Sequence, residues 1–217
     1  MNVLVTGGTG YIGTRLVATL SARGHSVRAL VRPGSAHRVP ERVLAVAGNA
    51  LNAASVTSVA ETADTIVHLV GTPHPSPSKA EEFRRVDLES IRASVAAAKE
   101  RRIRHLVYVS VAHPAPAMQA YVAARVAGEA AIAEARLTAT ILRPWHVLGP
   151  GHWWPIVLMP FYAIGELVPA TRDSARRLGL VSVAQMVRAL VHAVESPPSD
   201  GARRIVEVPE IRRAQLA

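Results

Sequence analysis

Short apolar runs alternate with amphipathic stretches from the first residues of the chain. The apolar run Asn2–Thr6 ends in glycines, and Tyr11–Arg23 then repeats apolar residues at helical spacing. Further strands are predicted at Ser26–Arg32, Arg42–Val46, Thr65–Leu69, His105–Val111 and Thr138–Leu142, and further helices at Ala53–Val59, Lys79–Arg102 and Ala120–Ala135. Apolar strands separated by helices predict an α/β fold whose parallel sheet is buried on both faces.

The pattern divides the chain into a regular part and a shorter, less regular one. We expect a doubly wound parallel sheet over residues 1–145, with right-handed crossovers between its strands. Residues 146–217 are expected to form a small C-terminal lobe on the substrate side. In that lobe the pattern predicts a loop at Leu148–Pro155, an apolar segment at Ile156–Leu167, a strand at Leu178–Leu180, a helix at Val181–Glu195 and a strand at Arg204–Val208. A length of 217 residues fits one domain.

The apolar stretch Trp153–Val168 has two interpretations. Prolines, a glycine and a glutamate interrupt it, and it is shorter than the ~20 apolar residues that a spanning helix needs. A helix lining the substrate side of a crevice is the favoured interpretation. Peripheral contact with a membrane is the alternative.

Composition narrows the class of protein. Apolar residues make up 49% of the chain and charged residues 19%, which excludes disorder as its main state. Cysteine is absent, which excludes disulfides, a thiolate nucleophile and cysteine-ligated metals. The nine histidines show no metal-ligand spacing, so no metal site is predicted. The first ten residues lack a basic region before their apolar run, so we expect a cytoplasmic protein.

The net charge of +9 comes from 25 Lys and Arg against 16 Asp and Glu. One interpretation of this excess is an anionic partner, such as nucleic acid, an anionic membrane or a phosphate-rich cofactor. The other is genomic base composition, which more often explains abundant arginine beside abundant alanine, so the charge by itself decides little. The arginines are dispersed, and aromatic residues, at 4%, are too few for base stacking. We therefore expect no nucleic-acid partner.

The first turn carries the most informative motif of the chain. Three glycines, Gly7, Gly10 and Gly13, lie between the first strand and the first helix. In a dinucleotide site the first permits the sharp turn, the second lets the backbone approach the pyrophosphate, and the third lets helix and strand pack closely. The helix N-terminus then directs free N–H groups at the phosphates. The predicted cofactor contacts of this loop are Gly7, Thr9, Gly10, Tyr11, Ile12 and Gly13.

The end of the second strand indicates which dinucleotide is bound. A site selective for NAD usually has an acidic residue there, which binds the ribose 2′-hydroxyl. This chain has Arg32 instead and no acid between residues 14 and 40. Arg32 can pair with a 2′-phosphate, assisted by Arg15 or Arg38, so NADP(H) is favoured over NAD(H). A merely solvated arginine at the strand end is the alternative.

The Thr6–Gly13 spacing resembles the short-chain dehydrogenase/reductase superfamily, in particular its extended and atypical (NmrA-like, NAD(P)H-binding) branches. The resemblance implies a Rossmann-type fold and further cofactor contacts at Asn49, Ala50, Val70, Gly71 and Pro144. The other segments that match the family in order are Gly48-Asn49-Ala50, Val67–Gly71, Val107–Ser110, Leu142-Arg143-Pro144 and Gly149-Pro150-Gly151.

The same resemblance implies an active site. The family uses a serine, a tyrosine and a lysine four residues after the tyrosine; the corresponding residues here are Ser110, Tyr121 and Arg125. Tyr121 would exchange a proton with the substrate oxygen, Ser110 would hydrogen-bond that oxygen, and Arg125 would position the nicotinamide ribose and assist ionisation of the phenol. Residues four apart share a helix face, so Tyr121 and Arg125 can both point into the crevice.

Two departures from the family pattern leave alternatives open. Arg125 replaces the lysine and Asp87 replaces an asparagine, and Arg125 could instead form an ion pair with Glu129. The favoured function is an NADP(H)-dependent oxidoreductase acting on a small or medium apolar carbonyl or quinone-like acceptor. The alternative is a non-catalytic NAD(P) sensor, regulator or scaffold of the NmrA-like kind. Residues expected near a substrate are Trp145, His152, Trp153 and Trp154. The oligomeric state is left unassigned.

Overall fold

Seven parallel strands form the main sheet in the computed structural model of the chain, which describes residues 1–151, 157, 165, 167–169 and 171–215. With the two strands of a separate small sheet, the strands of the described residues are β1 (Asn2–Thr6), β2 (Ser26–Val31), β3 (Leu44–Ala47), β4 (Thr65–His68), β5 (His105–Val109), β6 (Ala139–Arg143), β7 (His146–Leu148), β8 (Leu180–Ser182) and β9 (Arg203–Glu207). The order across the main sheet is β3-β2-β1-β4-β5-β6-β9, while β7 and β8 pair separately. The predicted Rossmann-type doubly wound sheet is confirmed.

Helices cover both faces of the sheet. The helices are α1 (Gly13–Ala22), α2 (Ala53–Val59), α3 (Ala80–Glu82), α4 (Glu89–Glu100), α5 (Gln119–Glu134), α6 (Arg172–Arg177), α7 (Val183–Glu195) and α8 (Val208–Arg213). One buried apolar cluster joins the sheet to α1, α7 and α8. A second cluster joins the other face to α2, α4 and α5. Strands buried on both sides explain why the sequence shows continuous apolar runs rather than alternation.

The helix predicted as continuous over Lys79–Arg102 is interrupted. A π-helical turn, Phe83–Leu88, separates α3 from α4. Its wider winding places Phe83 and Asp87, four residues apart, both on the buried side. The interruption therefore brings a carboxylate into the interior, which a regular helical pattern did not predict.

The C-terminal part contributes to the main sheet, so the core is not confined to residues 1–145 as expected. Strand β9 pairs with β6, and α7 packs in the same apolar cluster as α1. Helix α7 begins at Val183 rather than at residue 181 because Ser182 caps it. The Ser182 hydroxyl accepts from the Gln185 N–H at 3.1 Å, and the Gln185 side chain accepts from the Ser182 N–H at 2.8 Å. Strand β7 and helices α6 and α8 were not predicted.

Part of the expected substrate lobe lies outside the described residues. This applies to most of the apolar stretch Trp153–Val168 and to the candidate substrate residues His152, Trp153 and Trp154. Within the described ranges, none of the helices combines the length and apolar character required to cross a membrane.

Candidate active site

The glycine loop lies at the carboxyl end of β1, where the strand order reverses. Gly7 has a φ of +77°, and a Cβ atom there would lie 2.9 Å from the backbone carbon of Leu69. A Cβ atom on Gly13 would lie closer than 3.0 Å to both the Gly7 oxygen and the Gly8 backbone. Gly10 is less crowded, since a Cβ atom there would have the Gly7 oxygen, at 3.2 Å, as its single neighbour within 4 Å among the described residues. Two of the three glycines are thus required by the loop itself, and the third leaves space beside the backbone.

The N-terminus of α1 opens directly from this loop. Ile12 occupies the N-cap, no side chain caps the helix, and its first turn contains no acidic residue. The Thr14 N–H already donates to the Gly10 carbonyl oxygen at 3.0 Å, so the helix start offers an anion the positive end of its dipole, with no carboxylate of its first turn competing. This is the arrangement that a pyrophosphate requires.

Tyr11 packs against protein rather than projecting from the loop. The Arg15 guanidinium lies 4.6 Å above its ring and donates to its carbonyl oxygen at 2.7 Å. A Cβ atom added to Gly149 would lie closer than 3.0 Å to the Tyr11 hydroxyl, so the two residues are in close contact. Gly149 directly follows β7, so this contact joins the glycine loop to the C-terminal part of the chain.

Arg32 follows β2 directly and is exposed. Its side chain has no partner among the residues that the structure describes, and Arg38, in the short turn Ala36–Arg38, is exposed as well. Arg15 differs from both because its guanidinium is bound to Tyr11. Of the three arginines considered for a 2′-phosphate, Arg32 and Arg38 are the accessible ones.

The turn after β3 holds Asn49 and Ala50. The Asn49 side-chain oxygen accepts from the Leu51 N–H at 2.9 Å, and the Asn49 N–H donates to the Ser55 hydroxyl at 2.9 Å. The asparagine therefore shapes this turn through its oxygen. Its adenine contact stays a prediction, as does that of Ala50.

Arg125 lies inside the protein. Its Nη2 forms an ion pair with Oδ1 of Asp87 at 2.7 Å, and both side chains are almost wholly buried. Its Nη1 donates to the carbonyl oxygens of Val109, at 2.9 Å, and Val70, at 3.4 Å. Burial lowers the pKa of Arg125, but the nearby Tyr121, Tyr108 and Asp87 more than offset this, so its pKa lies above the ordinary value.

Asp87 is in turn held by Thr72. Its Oδ2 accepts from the Thr72 N–H at 3.0 Å and from the Thr72 hydroxyl at 2.6 Å. A Cβ atom on Gly71 would lie closer than 3.0 Å to Nη2 of Arg125. The predicted contacts Val70 and Gly71 thus line a loop that is built around Arg125.

Glu129, one turn further along α5, binds a different arginine. It accepts from Nε of Arg143 at 3.0 Å and from Nη2 of the same side chain, and Arg143 Nη1 also donates to Glu207 at 3.1 Å. Burial lowers the pKa of Arg143, but the hydrogen bonds and charges of Glu129 and Glu207 raise it above the ordinary value. The alternative in which Arg125 pairs with Glu129 is therefore wrong, because each group has another partner.

Ser110 is buried at the carboxyl end of β5. Its hydroxyl donates to the Glu129 carboxylate at 2.5 Å. The backbone beside it is joined to the end of β6, since the Ala112 N–H donates to the carbonyl oxygen of Pro144 at 2.9 Å. In this arrangement the Ser110 proton is engaged with protein, and Pro144 is buried behind it.

Tyr121 is partly exposed on α5. Its ring makes an edge contact with Phe83, with centroids 5.1 Å apart, and the Arg125 guanidinium lies 5.2 Å from its centroid. Its hydroxyl has no hydrogen bond to any described residue. Of the three expected catalytic side chains, Tyr121 is the one whose polar group has no hydrogen bond to a described residue.

Sequence reasoning missed a buried polar cluster behind the site. His68 contacts the hydroxyls of Thr6 and Ser94 through Nδ1 and that of Ser90 through Nε2, at 2.9–3.2 Å. Complete burial, with a smaller effect of the Arg125 charge, lowers its pKa to about 3. The histidine is therefore neutral, and it joins the end of β1 to α4. Its place in an apolar strand, followed by Leu69, was the only signal that could have indicated it.

With this geometry in hand, comparison with known proteins assigns the family. The model of the NAD dependent epimerase/dehydratase family matches residues 3–208. The chain belongs to that family, which lies within the extended part of the short-chain dehydrogenase/reductase superfamily.

Two relatives show how similar individual proteins are to this chain. Ceramide reductase of Caulobacter vibrioides is 28% identical over 213 residues, which cover 97% of this chain and 65% of that protein. A 3-diazoavenalumate denitrifying reductase of Streptomyces is 32% identical over 177 residues, covering 70% of this chain and 58% of that protein. The chain thus spans about two thirds or less of the length of these relatives.

Among solved structures, the Bordetella bronchiseptica enzyme WbmH, determined in complex with NAD+, matches with a TM-score of 0.69 and 21% identity. The match covers 90% of this chain and 72% of that one. At this identity the likeness shows the shared fold.

Proposed function

We propose that this chain is an NAD(P)(H)-dependent oxidoreductase. The glycine loop is the observation that carries the proposal: its crowded backbone and the uncapped N-terminus of α1 suit a pyrophosphate. The family assignment and the reductase relatives support the same activity. The dinucleotide would lie across the carboxyl ends of the strands, with its adenine half beside Asn49 and Ala50 and its nicotinamide half towards Tyr121.

NADP(H) is the preferred cofactor in this proposal. Arg32 and Arg38 are exposed at the end of β2, where a 2′-phosphate would lie, and no acidic residue precedes them in the loop. A guanidinium can form paired hydrogen bonds with a phosphate, whereas it offers no acceptor to a ribose 2′-hydroxyl.

Tyr121 is the proposed proton donor for reduction of a small or medium apolar carbonyl or quinone-like acceptor. The nicotinamide, when bound, supplies the hydride. Tyr121 delivers the proton to the substrate oxygen, since its hydroxyl has no hydrogen bond to a described residue and its ring is held by Phe83 and Arg125. The chain would work in the cytoplasm.

Calorimetric titration with NADPH and NADH tests the cofactor assignment. In Arg32→Ala the dissociation constant for NADPH should rise about tenfold or more, while that for NADH stays unchanged. Arg42→Ala is a matched control, since it removes the same charge from an exposed residue just before the amino end of β3, whereas Arg32 follows the carboxyl end of β2. A preference for NADH, together with an unchanged NADPH dissociation constant in Arg32→Ala, would contradict the NADP assignment. If the native protein bound neither dinucleotide, the proposed function would be wrong.

Turnover is tested by following NADPH oxidation with aldehydes, aryl ketones and 9,10-phenanthrenequinone. Tyr121→Phe should lower kcat about 100-fold or more and leave NADPH affinity intact, because general acid catalysis contributes a factor of this order. Equal rates for the variant and the native protein would contradict the role of Tyr121.

A non-catalytic NAD(P) sensor of the NmrA-like kind is the second candidate. The buried partners of Ser110 and Arg125 favour it, because both polar groups are bound within the protein. NADPH binding without oxidation by any acceptor of the panel would select this candidate.

A further inference from the structure

The inner face of α5 presents three polar side chains at helical spacing: Tyr121, Arg125 and Glu129. Two of them are anchored in ion pairs. Arg125 binds Asp87, from the π-helical turn, and Glu129 binds Arg143, at the end of β6. The helix is therefore held at two points, by the π-helical turn and by the end of β6, and Tyr121 lies one turn before the first.

Both terminal nitrogens of the Arg125 guanidinium are engaged by these protein contacts, and its Nε is buried without a hydrogen-bond partner among the described residues. Its two terminal nitrogens bind one carboxylate and two carbonyl oxygens, and only 6% of the side chain is exposed. Its counter-charge Asp87 is fully buried and is itself held by Thr72. To reach a ribose hydroxyl, Arg125 would have to leave a buried carboxylate without a partner, which is strongly unfavourable.

The same guanidinium faces the ring of Tyr121. It lies 5.2 Å from that ring's centroid, within the range of a cation–π interaction, while Phe83 contacts the ring edge. The Tyr121 ring is thus held by a fixed charge and an apolar neighbour. Asp87 fixes that charge in turn.

We propose that Arg125 is a positioning residue for Tyr121, with Asp87 as its fixed counter-charge, and that it is not a ligand of the dinucleotide. The inference rests on the proposed function for the meaning of Tyr121. It differs from the role that family resemblance implies, in which the residue at this position holds the nicotinamide ribose. In this chain the positive charge of Arg125 acts on Tyr121 and makes no contact with the dinucleotide.

Calorimetric titration of the Asp87→Asn/Arg125→Met double variant with NADPH separates the two roles. Both charges are removed together, and the asparagine oxygen can still accept from Thr72. The dissociation constant should stay within about threefold of the native value. A larger rise, towards the factor of about ten or more expected for loss of a hydrogen bond to a charged donor, would overturn the inference.

The effect on Tyr121 is measured without any dinucleotide. In protein labelled with ¹³C at the tyrosine rings, the Tyr121 signal is assigned by its absence from Tyr121→Phe. The double variant should shift that signal and leave the signal of Tyr11 in place. An unmoved Tyr121 signal would overturn the positioning role.

The two measurements separate this inference from the proposed function. Native protein that fails to bind NADPH would refute the proposed function, and the NMR comparison would still decide whether Arg125 positions Tyr121. If the double variant does not fold, Arg125→Lys replaces it in both measurements. A lysine that changes the NADPH dissociation constant more than threefold, or leaves the Tyr121 signal unmoved, would overturn the inference.

Discussion

The two sides of the strand-order reversal are built by different means. On the side of β1, β2 and β3, backbone geometry forms the site, and no salt bridge lies in the loops that follow these strands within the described residues. On the side of β4, β5, β6 and β9, a buried ion pair of Arg125 joins α5 to the π-helical turn, and partly buried ion pairs of Arg143 join the end of β6 to α5 and to the end of β9.

The difference is consistent with the function that we propose for each side. A pyrophosphate is recognised by N–H groups and a helix end, so the loop around it needs residues without bulky side chains rather than particular side-chain contacts. A tyrosine that transfers a proton has to be held at a fixed place, and charged side chains with several partners can do that. The three predictions below test this contrast, from the largest expected effect to the smallest.

Replacing Gly13 by alanine should have the largest effect. The added Cβ would meet backbone atoms of Gly7 and Gly8, which cannot move aside, so we expect a loss of more than about 4 kcal/mol in unfolding free energy. Gly10→Ala is the matched control: it should fold nearly normally yet bind NADPH weakly. Urea denaturation and calorimetric titration measure the two effects, and a stable Gly13→Ala protein would contradict the backbone argument.

Gly71→Ala should be destabilising by about 2 kcal/mol, for a different reason. Its Cβ would meet the Arg125 side chain, which is held in place by Asp87. Because the obstacle is a side chain, the cost should largely disappear in an Arg125→Met background. A double-mutant cycle by urea denaturation measures this coupling, and additive effects of the two substitutions would show that Arg125 is not the obstacle.

Acid should destabilise the protein through His68. Its pKa is about 3 in the folded state and near 6.5 when unfolded, so between these values only the unfolded chain binds the proton. Stability should therefore be unaffected by His68 above about pH 6.5 and fall below it, by about 2 kcal/mol at pH 5.

Urea denaturation between pH 7.5 and 5 measures this dependence, with His68→Gln as the comparison. The variant should be less stable at neutral pH, because hydrogen bonds to Thr6 and Ser94 are altered. The slope of its unfolding free energy against pH should nevertheless be smaller than in the native protein, by the contribution of one bound proton. His105 serves as an internal reference. Burial, with a smaller effect of Arg204, lowers its pKa to about 4, so its contribution to the pH dependence of stability should be the same in the variant and in the native protein. Equal slopes for variant and native protein would exclude His68 as the titrating group.

The sequence by itself determined the sheet, its first six strands and the glycine loop. These depend on short-range features: continuous apolar runs for strands buried on both faces, and glycines where the backbone leaves no space for a Cβ. The family motifs also located Ser110, Tyr121 and Arg125 near one another. Spacing along the chain was enough for all of this.

Only the tertiary structure decided the partners of the charged side chains. The spacing of four residues allowed Arg125 to bind Glu129, yet Arg125 binds Asp87 and Glu129 binds Arg143, across 38 and 14 positions. A π-helical turn placed Asp87 inside, and the pairing of β6 with β9 placed Arg143 beside Glu207. Local spacing fixes only which groups can meet along one helix. Which pair forms depends on burial and on the other elements that pack around it, because an interior charge is stable only where a counter-charge and further hydrogen bonds surround it.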